Sequence, residues 1–208
     1  MSDAEIVASA RIADNNGLHH LAILAMAKAN NYKDDMPLRF PLANSQHVLA
    51  AAKKQKIEPA WVFAITRQES AFAASARSSV GALGLMQLMP ATAHQVAKQN
   101  KLPYKHKNEL LKTDVNIKLG TGYLKHLLET HQGSMVLATA AYNAGPSRVK
   151  LWLNNRNTLE ADQWIETIPF AETRDYVQNV MTYLGIYRQR LGENGTLEAL
   201  TSQIKASY

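Results

Sequence analysis

Among the residues that could carry chemistry, one carboxylate stands out. The stretch 59–72 reads as a helix, with Trp61, Ile65 and Phe72 recurring on one face. Glu69 falls on that same apolar face, near the helix C-terminus. The helix macrodipole disfavours a negative charge there by about 0.3–1 kcal/mol. Desolvation among apolar groups also favours the protonated form. A carboxyl group so placed can donate a proton at neutral pH. The alternative is a structural glutamate at the edge of the stripe, reaching water through its methylenes.

Two further segments supply groups that could hold a ligand. Residues 76–90 carry Gly81 and Gly84, which let a backbone approach a ligand closely and adopt positive φ. The turn at 140–146 adds Tyr142 and Asn143. Together with Ser78 and Gln87 these are neutral donors and acceptors with an aromatic face, a set that suits a sugar better than a phosphate. Taken singly, each is more readily explained as a turn glycine or a core tyrosine. Other constellations are missing from the sequence. There is no Gly-x-Ser-x-Gly elbow around Ser70 or Ser78. The seven histidines show no metal spacing, and without cysteine there is no thiolate ligand, nucleophile or disulfide. Gly120 and Gly122 sit within a helical pattern, where close packing is their expected role, not phosphate binding. Neither a metal nor a cofactor is expected.

The elements that must position these groups are mostly helices. Ala4 to Ala13 and Leu18 to Ala29 read as a helical pair split by Asn15, Asn16 and Gly17. This pair resembles one unit of a helical solenoid. Pro37 and Pro41 bracket a segment expected to be irregular, with a domain boundary just after it, near Asn44. Ser45 can cap a helix to about Lys56, and Pro59 opens the next at its first turn. Periodicity fails over 73–90, where a small hairpin within 78–88 is the one β candidate. A helix from Pro90 to about Lys98 follows, then one capped by Asp114 and stopped at Gly133. Ser134 caps the helix that ends at the 140–146 turn. Further helices cover 147–153 and 172–191, with a last short one expected after Gly195. The fold class is mainly α.

The chain has 208 residues, 46% hydrophobic and 19% charged, as expected of a folded globular protein. Its formal charge of +6 favours an anionic partner, but the basic residues are scattered, with no Arg-rich arm or recognition helix. Nucleic acid is therefore not expected as a partner. No stretch is long enough to span a bilayer, and the N-terminus lacks the charged start and apolar centre of a signal peptide.

Three runs, taken together, are much more specific than any residue alone: 68–72 around Glu69, 76–93 from Ala76 through Gln87 and Pro90, and 141–146 around Tyr142 and Asn143. With the block 168–177, containing Glu172, Arg174 and Tyr176, they closely resemble the soluble lytic transglycosylases, which belong with the goose-type lysozymes. The resemblance covers about residues 44–192. It implies a lysozyme-like helical domain over 44–208, preceded at 1–43 by a helical linker of the kind that follows an α-superhelical region, so the chain is expected to be a fragment. It implies that Glu69 is the single catalytic acid and base. It further implies that Ser78, Gly84, Met86, Gln87, Tyr142, Asn143, Glu172 and Tyr176 line the substrate groove, Tyr142 as the tyrosine that hydrogen-bonds the catalytic carboxyl group. Leu83 departs from relatives that carry a smaller or polar residue there. The implied reaction is non-hydrolytic cleavage of the MurNAc-β-1,4-GlcNAc bond of peptidoglycan, leaving 1,6-anhydro ends. A periplasmic monomer acting on glycan strands is the implied setting. A hydrolytic muramidase and a non-catalytic glycan-binding module are the alternatives.

Overall fold

A computed structural model describes residues 1–31, 34–153, 159–193 and 205–206. The chain divides into two compact units, one of residues 1–51 and 65–120, the other of 52–64 and 121–208. The described residues are mainly helical, as the sequence implies.

In the first unit, helix α1 (Asp3–Asn15) opens with a capping box between Ser2 and Glu5. Gly17, at φ +72°, turns the chain into α2 (His19–Met26). The segment expected to be irregular instead holds a four-residue helix, α3 (Met36–Arg39). Asp35 caps it by accepting from the Leu38 N–H, and Pro37 lies in the first turn, where its missing N–H costs nothing. These three helices close over Val7, Ala10, Ala22, Met26 and Leu38.

Helix α4 (Ser45–Gln55) leads to α5 (Pro59–Ser70). Residues 60–66 are all buried, so this part of α5 is apolar all round instead of one-faced. The helix also stops before Phe72. Ala71 and Phe72 take left-handed backbone at φ 49° and 66°, which removes Phe72 from the helical face although it stays buried. Glu69 thus belongs to a half-exposed last turn, 67–70, and not to an apolar stripe.

Next come α6 (Pro90–Gln99), a 3₁₀ turn (Lys107–Leu111) and α7 (Thr113–Thr130). Asp114, the expected cap, lies inside the first turn of α7 and pairs with Lys118 at 3.1 Å. That bond holds its carboxyl below the usual range. The hairpin expected within 78–88 is reduced to isolated bridges, Arg77 with Leu83 and Leu83 with Leu88.

The second unit is built around α8 (Met135–Ala144). Ser134 caps it by accepting from the Leu137 N–H at 3.3 Å, and residues 136–141 are buried. It packs against α9 (Pro146–Leu153) and against α11 (Ala171–Arg190), which α10 (Ala161–Glu166) precedes. The start of α5 completes this core. Trp61 Nε1 donates to Thr139 Oγ1 at 3.0 Å, and Phe63 stacks on Tyr187 at 5.2 Å. Two short strands, β1 (Leu159–Glu160) and β2 (Lys205–Ala206), pair antiparallel. The helix expected after Gly195 otherwise lies outside the described residues. Among the described residues no helix is long and apolar enough to cross a membrane.

Candidate active site

Glu69 sits in the last turn of α5, half-buried. Two neighbours on that turn fix it in place. Arg67 Nε donates to the Arg39 carbonyl at 2.9 Å, and its guanidinium lies 5.4 Å from the centre of the Phe40 ring. Ser70 Oγ donates to the Leu85 carbonyl at 2.7 Å. The second bond joins the end of α5 to the loop 76–88. The two left-handed residues that follow, neither of them glycine, cost roughly 1–3 kcal/mol each. Such a conformation persists only where surrounding bonds impose it, and here it turns the chain sharply away just beyond Glu69.

The loop is held by its own polar groups. Ser78 Oγ accepts from the Ala82 N–H at 2.9 Å, while the Ser78 N–H donates to the Ala82 carbonyl at 3.0 Å. The hydroxyl proton is left to donate elsewhere. Gly81, at φ +94°, supplies the backbone this tight turn requires. Gln87 is also left-handed, at φ 44°, and its Nε2 donates to the carbonyls of Ala76 and Gly84 at 3.2 and 2.8 Å. Gly84 is buried because nothing larger fits: a Cβ would come within 2.1 Å of the Leu110 carbonyl oxygen and 2.4 Å of Asn116 Nδ2. Met86 is fully buried, and a Cβ on Gly120 would approach its sulfur to 2.3 Å. Gly120 therefore serves close packing, as its sequence context suggests. Gly84 and Met86 shape the loop from inside, whereas Ser78 and Gln87 are half-exposed. Beside Ser78 lies a cavity of about 370 Å³ lined in part by Arg77, Leu83 and Lys107. Leu83 is buried and its main chain exchanges both hydrogen bonds with Leu88.

In the second unit, Tyr142 and Asn143 occupy the last turn of α8, both half-buried. Gly145, at φ +90°, ends the helix, and Pro146 opens α9. The Tyr142 ring lies 5.3 Å from that of Tyr123, whose hydroxyl is pushed above its ordinary pKa by burial. Thr173 Oγ1 donates to Asn143 Oδ1 at 2.7 Å, which directs the amide N–H₂ of Asn143 away from α11. On the same first turn of α11, Glu172 is exposed, where the helix N-terminus favours its charge. Tyr176, one turn on, is buried.

Three residues in these arrangements were not expected from sequence: Asn116, Tyr123 and Thr173. Tyr123 reads only as an apolar helix position. Asn116 left a signal, being polar and spaced four and seven residues before Gly120 and Tyr123 along the buried stripe of α7. Among the described residues no cluster of three His, Asp or Glu could hold a metal ion.

The loop and α8 turn fall within a match to a known family, the Transglycosylase SLT domain, over residues 46–165, and the chain belongs to that family. Residues 167–195 also match the soluble lytic transglycosylase helical domain. The chain is 39% identical over 202 residues to the soluble lytic murein transglycosylase of Escherichia coli K12, covering 96% of this chain and 31% of that protein. It is 43% identical over 174 residues to a putative soluble lytic murein transglycosylase of Haemophilus influenzae, 82% of this chain and 29% of that protein. Among solved structures it resembles an inactive mutant, with glutamine in place of a glutamate, of the lytic transglycosylase Slt of Pseudomonas aeruginosa. The TM-score is 0.90 at 45% identity, over 95% of this chain and 32% of that one. The 70 kDa soluble lytic transglycosylase of Escherichia coli gives a TM-score of 0.89 at 39% identity, again over 95% and 32%. A complex of the 70 kDa soluble lytic transglycosylase with bulgecin A also matches at 0.89, at 38% identity over the same shares. The fold is thus the lysozyme-like helical fold of these transglycosylases. The chain spans about a third of the length of the relatives it matches.

Proposed function

We propose that the chain is a peptidoglycan lytic transglycosylase in which Glu69 serves as acid and then as base. The family match over 46–165, which contains Glu69 and both groove segments, carries this reading. Protonated Glu69 gives its proton to the glycosidic oxygen between N-acetylmuramic acid and N-acetylglucosamine, and the C1–O bond breaks. Positive charge develops at C1 and the ring oxygen, assisted by the N-acetyl carbonyl of the same sugar. The Glu69 carboxylate then takes the C6 hydroxyl proton as that oxygen bonds to C1. No water enters, and a 1,6-anhydro end results.

A two-carboxylate glycosidase needs a second Asp or Glu as nucleophile or base. Here the substrate supplies the nucleophile, so one carboxylate suffices. A relative 45% identical that is inactive with a single glutamate changed to glutamine supports this economy of groups. General acid–base assistance is worth about 10²–10⁴-fold in rate. The remainder comes from positioning. In this reading the half-exposed Ser78 donates to a sugar oxygen, and Gln87, whose amide N–H groups both bond loop carbonyls, accepts from a sugar hydroxyl through Oε1. Gly84 and Met86 shape the loop that carries them, and Tyr142, Asn143, Glu172 and Tyr176 form a further part of the groove.

In the same reading residues 1–43 are a helical linker and 44–208 the catalytic domain, a division supported by a family match beginning at residue 46. The protein works in the periplasm as a monomer, needs no cofactor, and the charge of +6 assists contact with anionic peptidoglycan rather than nucleic acid. Mass analysis of fragments released from purified sacculi tests the reaction. Transglycosylation gives fragments one water lighter than the reducing-end products of a hydrolase. Reducing ends alone would establish a muramidase, and intact glycan a binding module.

A further inference from the structure

Asn116 is a fully buried polar side chain on α7, and both of its donors and its acceptor oxygen are used. Nδ2 donates to the Leu83 carbonyl at 2.9 Å and to the Leu110 carbonyl at 2.8 Å. Oδ1 accepts from the Met86 N–H at 2.7 Å. The amide can be oriented only one way, since two carbonyls need donors and one N–H needs an acceptor. Gly84 lies between the two loop residues so bonded, with no room for a Cβ against Asn116. The loop is therefore gripped on both sides of Gly84 by a single side chain.

We propose that Asn116 is a positioning residue for the proposed transglycosylation, holding the loop 76–88 in the form that presents Ser78 and Gln87 to substrate. The inference rests on the transglycosylase reading for the meaning of that loop. Ser70 ties the end of α5 to Leu85, the residue between Gly84 and Met86. The grip of Asn116 therefore also fixes the distance from the loop to the turn that carries Glu69. Displacing a positioned group by about an ångström costs up to 10²-fold in rate. Leucine in place of Asn116 would take the Oδ1 acceptor from the buried Met86 N–H and a donor from the Leu110 carbonyl, and would leave the Leu83 carbonyl with the Leu88 N–H alone. That chemistry requires an amide here and not simply a residue of this size.

The aspartate variant gives a readout that packing alone would not move. Ionised, Asn116→Asp has no donor and sets negative oxygens against two carbonyls. Protonated, it regains one donor and keeps the acceptor for Met86, restoring two of the three bonds. The partners of this side chain are all main-chain groups, which do not titrate. The charged residues nearby in sequence, Glu109, Lys112, Asp114 and Lys118, are half-exposed or exposed. Burial against carbonyls raises the carboxyl pKa, so the working form is present at low pH and lost as pH rises through that value.

The test is release of muropeptides from sacculi by wild type, Asn116→Asp and Asn116→Ala from pH 5 to 8, expressed per folded molecule. Folded fraction is measured in each buffer. At pH 8 Asn116→Asp falls at least about tenfold below wild type and recovers toward it at pH 5, while Asn116→Ala stays low at every pH. Activity per folded molecule that parallels wild type throughout overturns the proposal. If the variants do not fold, amide exchange in the wild type decides. The Met86 N–H should exchange on the order of 10³-fold more slowly than that of Ser79, and a rate within about tenfold overturns the grip. A wild type inert on sacculi refutes the activity instead, and the exchange measurement still tests the grip.

Discussion

At the scale of single residues, several side chains that sequence marks as groove candidates act first on their own loop. Gln87 bonds Ala76 and Gly84, and Ser78 bonds Ala82, so each braces the segment it belongs to. Gly84 shows how little latitude remains. An added Cβ meets a backbone carbonyl at 2.1 Å, and the φ of +76° is left-handed. Overpacking and a strained φ each cost about 1–3 kcal/mol, so Gly84→Ala should lower stability by about 2–6 kcal/mol in urea unfolding. A loss below 1 kcal/mol would mean that the loop can withdraw from Asn116 and Leu110. From sequence Gly84 reads as freedom for a ligand to approach, and its crowding was invisible there. Leu110 and Asn116 lie 26 and 32 residues further along the chain.

At the scale of elements, what was legible was local. Gly17, Gly133 and Ser134 mark helix ends by their own chemistry, and the structure ends or caps helices at each. Asp114 misled because a polar residue in the first turn of a helix carries much the same signal as a cap. Phe72 misled because spacing alone cannot show that the backbone turns left-handed at Ala71. The joint between α5 and the loop could not be read at all, since it depends on Ser70 meeting a main-chain carbonyl 15 residues away. Ser70→Ala removes that joint. The loss should be about 1 kcal/mol of stability, the worth of one such bond, with a larger relative fall in kcat than in affinity for glycan. An unchanged kcat would separate the loop from the placement of Glu69.

At the scale of the molecule, pH acts through a buried histidine outside the candidate site. His131 follows the end of α7, buried, and its pKa lies below the ordinary imidazole value, first through burial and then through nearby His126. The unfolded chain therefore binds the proton more readily than the folded one, and stability falls as pH drops below the usual histidine range. The thermal midpoint should fall from pH 8 to pH 5, and by less in His131→Asn. An equal fall in both would place the loss elsewhere. The Arg188 guanidinium grips the Glu58 carboxylate through two hydrogen bonds, joining the C-terminal part of α11 to the residue just before α5. The pair is half-buried, so the cost of desolvating both charges offsets part of their attraction.

If one carboxylate performs both proton transfers, Glu69→Gln removes both at once. Purified wild type and variant are incubated with sacculi, and both bound glycan and released fragments are measured. The variant should bind glycan and unfold as the wild type does, yet release 1,6-anhydro fragments more slowly by about 10²-fold or more. Release of anhydro fragments at the wild-type rate would contradict that role for Glu69.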